Sequence, residues 1–440
     1  MLQYAESMTE NNKRKLLVAA ITTTIIPAIL VVRYPSIVSL KSIALYLSAI
    51  TGYAGITILL WSYILGAKSV MGIVFRDLSP VLSIHKWLGK YGTLAIFAHP
   101  LLVMYSYGVN LLYTFVPVLS TKFERHVTLG RLSFIILIVI WVTSALIRGK
   151  IKFRPWRYIH VLGYIMLPFV FLHVPDVGSQ FMHHDIVKAY YIGLLMVFFA
   201  FSLVRLRGLL GLDKTSYKIV SHRQLVNEDP SVWLLQLRPT SDRIIPAKGQ
   251  YVYVKDGLVS EDHPFSVLDY NAKTGDITIA YRTFGRFTTE LSTRPIGAQL
   301  LLGGPYGAFT YEIETENTPV VFVAGGIGVT PMVRYLLNSP AREQWMFYAN
   351  RTKQSAIIIP ELRKLLGARL ITAFSRQTDG LEIGDEHGHL TGEIFQRHLE
   401  QPSKYHYYLC GSDKMMQDTA AELIGIGVPT TSIRREAFSW

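Results

Sequence analysis

Up to about residue 208, this chain of 440 residues is a succession of six apolar runs, at about 16–33, 43–65, 84–106, 129–147, 158–177 and 188–206. A helix needs roughly 20 apolar residues to span a bilayer, so each run is a candidate crossing. Charges collect between the runs. Lys13, Arg14 and Lys15 precede the first, and Lys68 and Arg76 follow the second. Arg148, Lys150, Lys152, Arg154 and Arg157 separate the fourth from the fifth, and Arg205 and Arg207 follow the sixth. Six crossings put all of these on one face. The opposite loops keep only Arg33, Lys41, Lys122, Arg125 and Lys188. Positive residues gather on the cytoplasmic side, so a multi-pass protein of the cell membrane with both termini in the cytoplasm is expected.

The same placement explains the formal net charge of +13 without a nucleic-acid partner. Basic residues flank lipid-spanning runs rather than forming a phosphate-tracking patch. The single cysteine, Cys410, excludes an intramolecular disulfide. No Cys-x-x-Cys-His occurs, so any haem is held without thioether links. No small-residue cleavage site follows Lys15, and no cleavable leader is expected. The length and the change of pattern after residue 208 predict a membrane domain over 1–212, then soluble domains over 213–315 and 316–440.

Two of the apolar runs each carry two histidines. His85 and His99 are 14 residues apart, and His160 and His173 are 13 apart. Ionisable groups at such depth are costly and usually functional. The third and fifth runs point the same way across the membrane. His85 and His160 therefore share the inner level, and His99 and His173 the outer. The levels differ by roughly 20 Å at 1.5 Å per residue. A single buried histidine is most simply one bonded to a neighbouring helix; two pairs at matched depths predict two bis-histidine haems in series. Fourteen residues bring His85 and His99 to one helical face. Thirteen miss that face by more than about 100°, and Pro168 offers a kink that re-aims His173. His126, His183 and His184 read as ordinary loop residues.

The remainder alternates strand-like and helix-like runs. Tyr217–Ser221, Val232–Leu237, Tyr251–Lys255, Ile277–Arg282 and Gln299–Leu302 predict a small antiparallel barrel. Val320–Ala324, Trp345–Tyr348, Leu370–Phe374 and Tyr407–Cys410 predict a doubly wound parallel sheet with intervening helices. Gly325 to Pro331 follows the first of these strands. Glycines at a strand-to-helix turn let a pyrophosphate meet the backbone and the helix N-terminus.

Taken together these features resemble the ferric reductase and NADPH oxidase superfamily, and in length a bacterial NADPH oxidase. In that family a ferric-reductase-type membrane domain is fused to a ferredoxin-reductase-type dehydrogenase. His263-Pro264-Phe265-Ser266 resembles the family's flavin motif. Tyr281 to Thr288 resembles its FAD pyrophosphate segment, and the resemblance assigns Arg282, Phe287 and Thr288 to it. Gly326, Gly328, Thr330 and Pro331 match the nicotinamide dinucleotide loop. Ser375 and Arg376, with Arg351, resemble the pocket for the 2′-phosphate of NADPH. Cys410 and Gly411 match the Cys-Gly pair that sets the nicotinamide against the flavin. Trp440 resembles the terminal aromatic residue that stacks on the flavin. Cys410 and Trp440 are thus the residues placed at the hydride-transfer step.

The resemblance implies a route from NADPH, with NADH as a lesser donor, through FAD and two b-type haems to an outer acceptor. His85, His99, His160 and His173 would be the iron ligands. Filled axial positions favour one-electron, outer-sphere delivery, to dioxygen as superoxide or to a ferric chelate as ferrous iron. Small-molecule donors and acceptors and membrane lipid are the expected partners, with no obligatory protein partner. Some oxidases carry an arginine in helix two and a histidine four residues beyond the outer histidine of helix three. Here helix two has no arginine, and position 103 is Val103.

Overall fold

The computed structural model describes residues 10–75, 78–257, 260–311, 313, 318–338 and 343–436. Arg76 and Trp440, both used in the sequence reading, lie outside the described residues. The chain divides into two compact units, Met1–Leu206 and Arg207–Trp440.

The first unit is helical. Its main rods are α1 (Glu10–Leu30), α2 (Leu40–Leu65), α3 (Ser79–Trp87), α4 (Thr93–Tyr107), α5 (Lys122–Trp141), α6 (Phe153–Val161), α7 (Gly163–Val177) and α8 (Asp185–Leu209). Ser39 caps α2, its side chain accepting from the Ser42 backbone while the Ser42 hydroxyl accepts from the Ser39 N–H. Thr121 caps α5 through the Glu124 N–H. A π-turn, Leu88–Gly92, joins α3 to α4, and another, Val142–Leu146, extends α5.

Four helices among the described residues are long and apolar enough to cross a membrane: Leu40–Leu65, Lys122–Leu146, Phe153–Val177 and Asp185–Leu209. Six were expected from the apolar runs. The first run falls short because the opening turns of α1 carry Lys13, Arg14 and Lys15. The third is diluted by Lys86, Lys90, His99 and Pro100, and a π-turn at Leu88–Gly92 interrupts its α-helical ladder. Leu101, Leu172, Met196, Phe199 and Leu203 are exposed, as a surface facing lipid requires.

The expected kink at Pro168 is displaced. Pro168 lies within α7, and the interruption falls at Leu162, between α6 and α7. Leu162 donates to Ile159 O at 3.0 Å, a tight turn that ends the first helix.

The second unit holds a barrel and a sheet. The barrel strands are β1 (Thr215–Val226), β2 (Val232–Pro239), β3 (Tyr251–Lys255), β4 (His263–Tyr270), β5 (Ile277–Arg282) and β6 (Gln299–Tyr306). They close in the order β1-β2-β5-β4-β3-β6, all antiparallel. Tyr217, Ile219, Leu235, Val252, Val267, Ile279 and Leu302 fill the interior. A short helix, α9 (Arg286–Ser292), follows β5.

The sheet comprises β7 (Val320–Gly325), β8 (Gln344–Asn350), β9 (Leu370–Phe374), β10 (Asp385–His387), β11 (His406–Cys410) and β12 (Ile433–Glu436). Its order is β10-β9-β8-β7-β11-β12, all parallel. Helix α10 (Thr330–Asn338) follows β7 and ties the sheet to the barrel: Arg334 Nη1 donates to Pro246 O at 2.6 Å, and its guanidinium lies 5.3 Å from the Tyr270 ring centre. The strand order reverses between β7 and β11, the place where open α/β sheets bind ligands.

Candidate functional site

In the helical unit all four paired histidines are held by the same ring atom. Nδ1 of His85 bonds Ser62 O at 2.9 Å, and Nδ1 of His99 bonds Ser48 O at 2.8 Å. Both acceptors lie on α2, 14 residues apart, so the two rings share a face despite the π-turn between them. Nδ1 of His173 bonds His126 O at 2.9 Å, and Nδ1 of His160 meets Ser144 Oγ at 3.2 Å. Both of these acceptors lie on the rod that begins with α5. A carbonyl only accepts, so Nδ1 of His85, His99 and His173 carries the proton and Nε2 keeps the outward lone pair, the arrangement metal-ligating histidines use. The Ser144 hydroxyl holds His160 Nδ1 as donor or acceptor.

Glycine follows each of the first three contacts and makes the closest two fit. An α-helical carbonyl at residue n already accepts from the N–H of residue n+4, so an imidazole reaching that oxygen slides past the Cα of n+4. The residues at n+4 are Gly52, Gly66 and Gly130. A Cβ at Gly130 would stand 2.6 Å from His173 Nδ1, and one at Gly52 would stand 3.1 Å from His99 Nδ1. At Gly66 the nearest His85 atom is 3.8 Å away, and the Gly66 N–H bonds Ser62 O at 3.1 Å. His160 departs from this pattern by bonding a side-chain hydroxyl. Trp156 stacks on its ring at 4.9 Å and 28°, donates from Nε1 to Ser144 Oγ at 3.0 Å, and carries Arg148 4.5 Å over its own ring.

The ring centres of His85 and His160 are 6.0 Å apart. An imidazole–metal bond of about 2 Å on each side, plus about 1 Å from nitrogen to ring centre, gives roughly 6 Å. The donor set and spacing therefore fit one iron between these rings. His99 and His173 are also electrostatic neighbours. Two further cations stand close by. Arg205 lies 4.4 Å over Tyr164 and 5.3 Å over Tyr63, near His85 and His160. Arg131, 4 % exposed, neighbours His173. The sequence reading passed over Arg131, Ser144 and the three glycines. It also took His126 for a loop residue, although its carbonyl anchors His173 and its Nε2 faces Asp176 Oδ2 at 3.1 Å.

In the second unit, the His263-Pro264-Phe265-Ser266 segment opens β4 rather than ending a strand. Phe265 and Ser266 are buried, and the His263 ring stacks on Phe287 at 3.8 Å and 13°. Thr288 Oγ1 accepts from the Phe284 N–H at 2.6 Å and thereby shapes the turn before α9. Arg282 reaches from the end of β5 to the glycine loop: a Cβ at Gly326 would stand 3.0 Å from its Nη2. Burial, and then the nearby Arg351, hold the Arg282 guanidinium below its ordinary value, and its Nε is buried without a partner among the described residues. An arginine against a glycine loop, with a second arginine near it, suits a phosphate.

The loop itself runs from Gly325 through a 3₁₀ turn, Gly326–Val329, into α10. Thr330 and Pro331 are buried at the helix start, and Thr330 Oγ1 donates to Ile327 O at 3.0 Å. Cys410 pairs with Ala324 across β11 and β7, bringing Cys410-Gly411 beside the loop. A Cβ at Gly328 would collide with the Cys410 carbonyl oxygen, and one at Gly411 would meet Gly325 Cα at 3.2 Å. Cys410 is fully buried, which pushes its thiol well above the ordinary range and keeps it protonated. At the far side of the crevice the Ser375 N–H bonds Asn350 O at 3.0 Å, and the Arg376 N–H bonds Arg351 O at 2.9 Å. Arg351 and Arg376 therefore share one loop pair at the ends of β8 and β9. Lys353, which the sequence reading missed, joins them through its N–H to Gln377 Oε1 at 2.8 Å.

Two family models match the chain. Residues 51–171 match the ferric reductase like transmembrane component, and residues 322–421 match the oxidoreductase NAD-binding domain. Ferric reduction oxidase 4 of Arabidopsis thaliana is 23% identical over 280 residues, 61% of this chain and 36% of that protein. The reductase component of propane 2-monooxygenase from Rhodococcus jostii (strain RHA1) is 27% identical over 206 residues, 43% of this chain and 55% of that protein. A flavohemoglobin structure from Malassezia yamatoensis with bound FAD and heme aligns at a TM-score of 0.48 and 22% identity, covering 86% of this chain and 99% of that one. The chain thus spans little more than half of the propane 2-monooxygenase reductase and about a third of the plant oxidase. It joins a segment that matches a ferric reductase like transmembrane component to one that matches an oxidoreductase NAD-binding domain, an arrangement consistent with a fusion of the ferric reductase and NADPH oxidase type.

Proposed function

We propose that this chain carries electrons from cytosolic NADPH, through FAD and two b-type haems, to dioxygen on the outer side of the cell membrane, producing superoxide. The observation that carries the reading is the common anchoring of His85, His99, His160 and His173 by Nδ1, which leaves their Nε2 atoms available to hold iron. With six crossings and cytoplasmic termini, His85 and His160 form the inner pair and His99 and His173 the outer. The proposed domains are 1–212 for the membrane, 213–315 for the flavin and 316–440 for the nucleotide.

FAD, when bound, supplies the conversion of a two-electron hydride into single electrons. The chain's own residues bind and orient. His263, Pro264, Phe265 and Ser266 line the flavin; Arg282, Phe287 and Thr288 hold its pyrophosphate. Gly326, Gly328, Thr330 and Pro331 admit the dinucleotide backbone, and Cys410 and Gly411 set the nicotinamide. Arg351, Ser375 and Arg376 receive the 2′-phosphate, and Trp440 covers the flavin face. The protonated state of Cys410 gives it a packing role at the hydride-transfer position, with no nucleophilic step. Two imidazoles would hold each iron, His85 with His160 and His99 with His173, and such a haem would supply outer-sphere transfer of single electrons to the outer acceptor.

A ferric-chelate reductase using the same route is the second reading, favoured by the match to the ferric reductase like transmembrane component. One absorbance spectrum of purified protein, before and after NADPH, tests the common part. Two bis-histidine b-type haems and one flavin are expected, and a haem-free protein would refute the reading. Superoxide-dismutase-sensitive signal in air, set against ferrous-chelate formation under argon, separates the two acceptors.

A further inference from the structure

Arg131 stands on the membrane-spanning helix Lys122–Leu146, where an ionisable side chain is costly. Its Nη1 faces Glu124 Oε2 at 3.2 Å and Thr128 Oγ1 at 3.4 Å, and its guanidinium lies 4.1 Å over the Tyr113 ring. The Tyr113 hydroxyl donates to Glu124 Oε1 at 3.2 Å, which fixes the carboxylate on that side. Nε and Nη2 form the opposite edge of the fork. Both are fully buried and have no partner among the described residues. This is the edge through which arginine grips a carboxylate by two parallel bonds. It follows Gly130, whose bare Cα admits the His173 ring, and Arg131 is itself an electrostatic neighbour of His173.

We propose that the Nε–Nη2 edge of Arg131 is a carboxylate site beside the His99–His173 pair. Two sources share this chemistry: a propionate of the porphyrin clamped by that pair, and a carboxylate of an external ferric chelate. The inference rests on the haem reading above. Glu124 already offsets one face of the guanidinium. Removing Arg131 would leave Glu124 and the bound carboxylate as uncompensated negative charges near the iron, which favours its ferric form.

The test is a spectroelectrochemical titration of the purified full-length holoprotein. Wild type lacking haem would sink the haem reading itself and is distinguishable from every result below. With two haems present, Arg131→Gln is expected to lower one midpoint, reducing the ferrous-to-ferric ratio at fixed potential at least tenfold, while the other moves less than twofold. That result, joined by a fall of more than twofold in Arg131→Lys, which keeps the charge beside Glu124 and loses only the fork, assigns a propionate. If instead neither midpoint moves without additive, but millimolar iron-free citrate shifts one haem in wild type and not in Arg131→Gln, the carboxylate is external. Two haems, unmoved by either treatment, overturn the site. Should the glutamine variant fail to fold, Arg131→Lys keeps the charge and loses the fork. A fall of more than twofold in the same ratio, or a lost citrate response, supports the site; unchanged behaviour in both overturns it.

Discussion

Gly130 leaves the space that His173 occupies: a Cβ at that position would stand 2.6 Å from Nδ1 and 2.7 Å from Cε1 of the ring. The imidazole can give way only by abandoning its bond to His126 O, since the same turn of backbone supplies both the acceptor and the obstacle. Gly130→Ala is therefore expected to displace His173 and release one of two haems, halving the haem-to-flavin ratio. Overpacking of this kind costs about 1–3 kcal/mol, so haem affinity at that site should weaken about fivefold or more. Gly193→Ala is the matched control, because a Cβ there meets nothing within 4 Å. Equal haem loss in both variants would show that the Gly130 contact has no special role.

Gly328 stands in a similar relation to Cys410, with the difference that the opposing atoms are backbone. A side chain at the far end of a rotamer can move aside; a carbonyl in a parallel ladder cannot without breaking the β7–β11 pairing. Gly328→Ala should slow NADPH-driven flavin reduction by at least tenfold. Dithionite should reduce the haems as in wild type, because the helical unit is untouched. Stopped-flow absorbance at the flavin band reads the first, and a static spectrum reads the second.

Much of this was legible in the chain, and the parts that were not share a cause. The barrel strands Tyr251–Lys255 and Ile277–Arg282 were read at the bounds they have, because apolar residues run between clear turn signals. β4 was missed because its second residue, Pro264, reads as a turn; in the barrel it pairs with Tyr253, where β3 covers that edge. β10 and β12 are three and four residues long, polar, and lie at the sheet's two edges, so they carry almost no periodic signal. The histidine pairs were visible as sequence spacing. Their anchors were not, because a backbone carbonyl has no signature in sequence. The glycines at n+4 do have one. Gly52 and Gly66 are 14 residues apart, the same interval as His99 and His85 on the antiparallel neighbour. Two equal intervals of this kind identify a pair of helices whose contacts repeat at two depths.

The pairing of Arg351 and Arg376 across the β8 and β9 loops gives the dinucleotide preference a direct test. Each guanidinium can form a charge-assisted bond to a 2′-phosphate, and a hydrogen bond to a charged group is worth about 1.5–3 kcal/mol. Arg376→Ala should raise the KM for NADPH about tenfold or more and leave that for NADH within about twofold. Arg351→Ala should lose NADPH affinity and also weaken FAD retention, since Arg351 neighbours Arg282. A parallel loss for NADPH and NADH in Arg376→Ala would remove that residue from the phosphate pocket.

Burial of Cys410 sets a pH dependence with a definite sign. Its folded-state thiol is held well above the ordinary value by desolvation first and by Glu436 second. In the unfolded chain the thiol ionises near pH 8.5, roughly the ordinary value for cysteine. Below that pH both states are protonated and the difference contributes fully to stability. Above it the unfolded state loses a proton that the folded state keeps, so stability falls as pH rises, by up to about 1.4 kcal/mol per pH unit. Between about pH 8 and 9, a full unit below the ordinary tyrosine value of about 10, thermal unfolding of the full-length protein should shift downward in wild type. The shift should be smaller in Cys410→Ser, whose hydroxyl does not titrate there, and buried tyrosines add a further loss of the same sign as the pH approaches about 10. The same burial predicts that a thiol reagent at pH 8 leaves native protein unlabelled and labels it once denaturant is added. Rapid labelling of the folded protein would place a reactive thiolate at the end of β11 and restore a chemical role for Cys410.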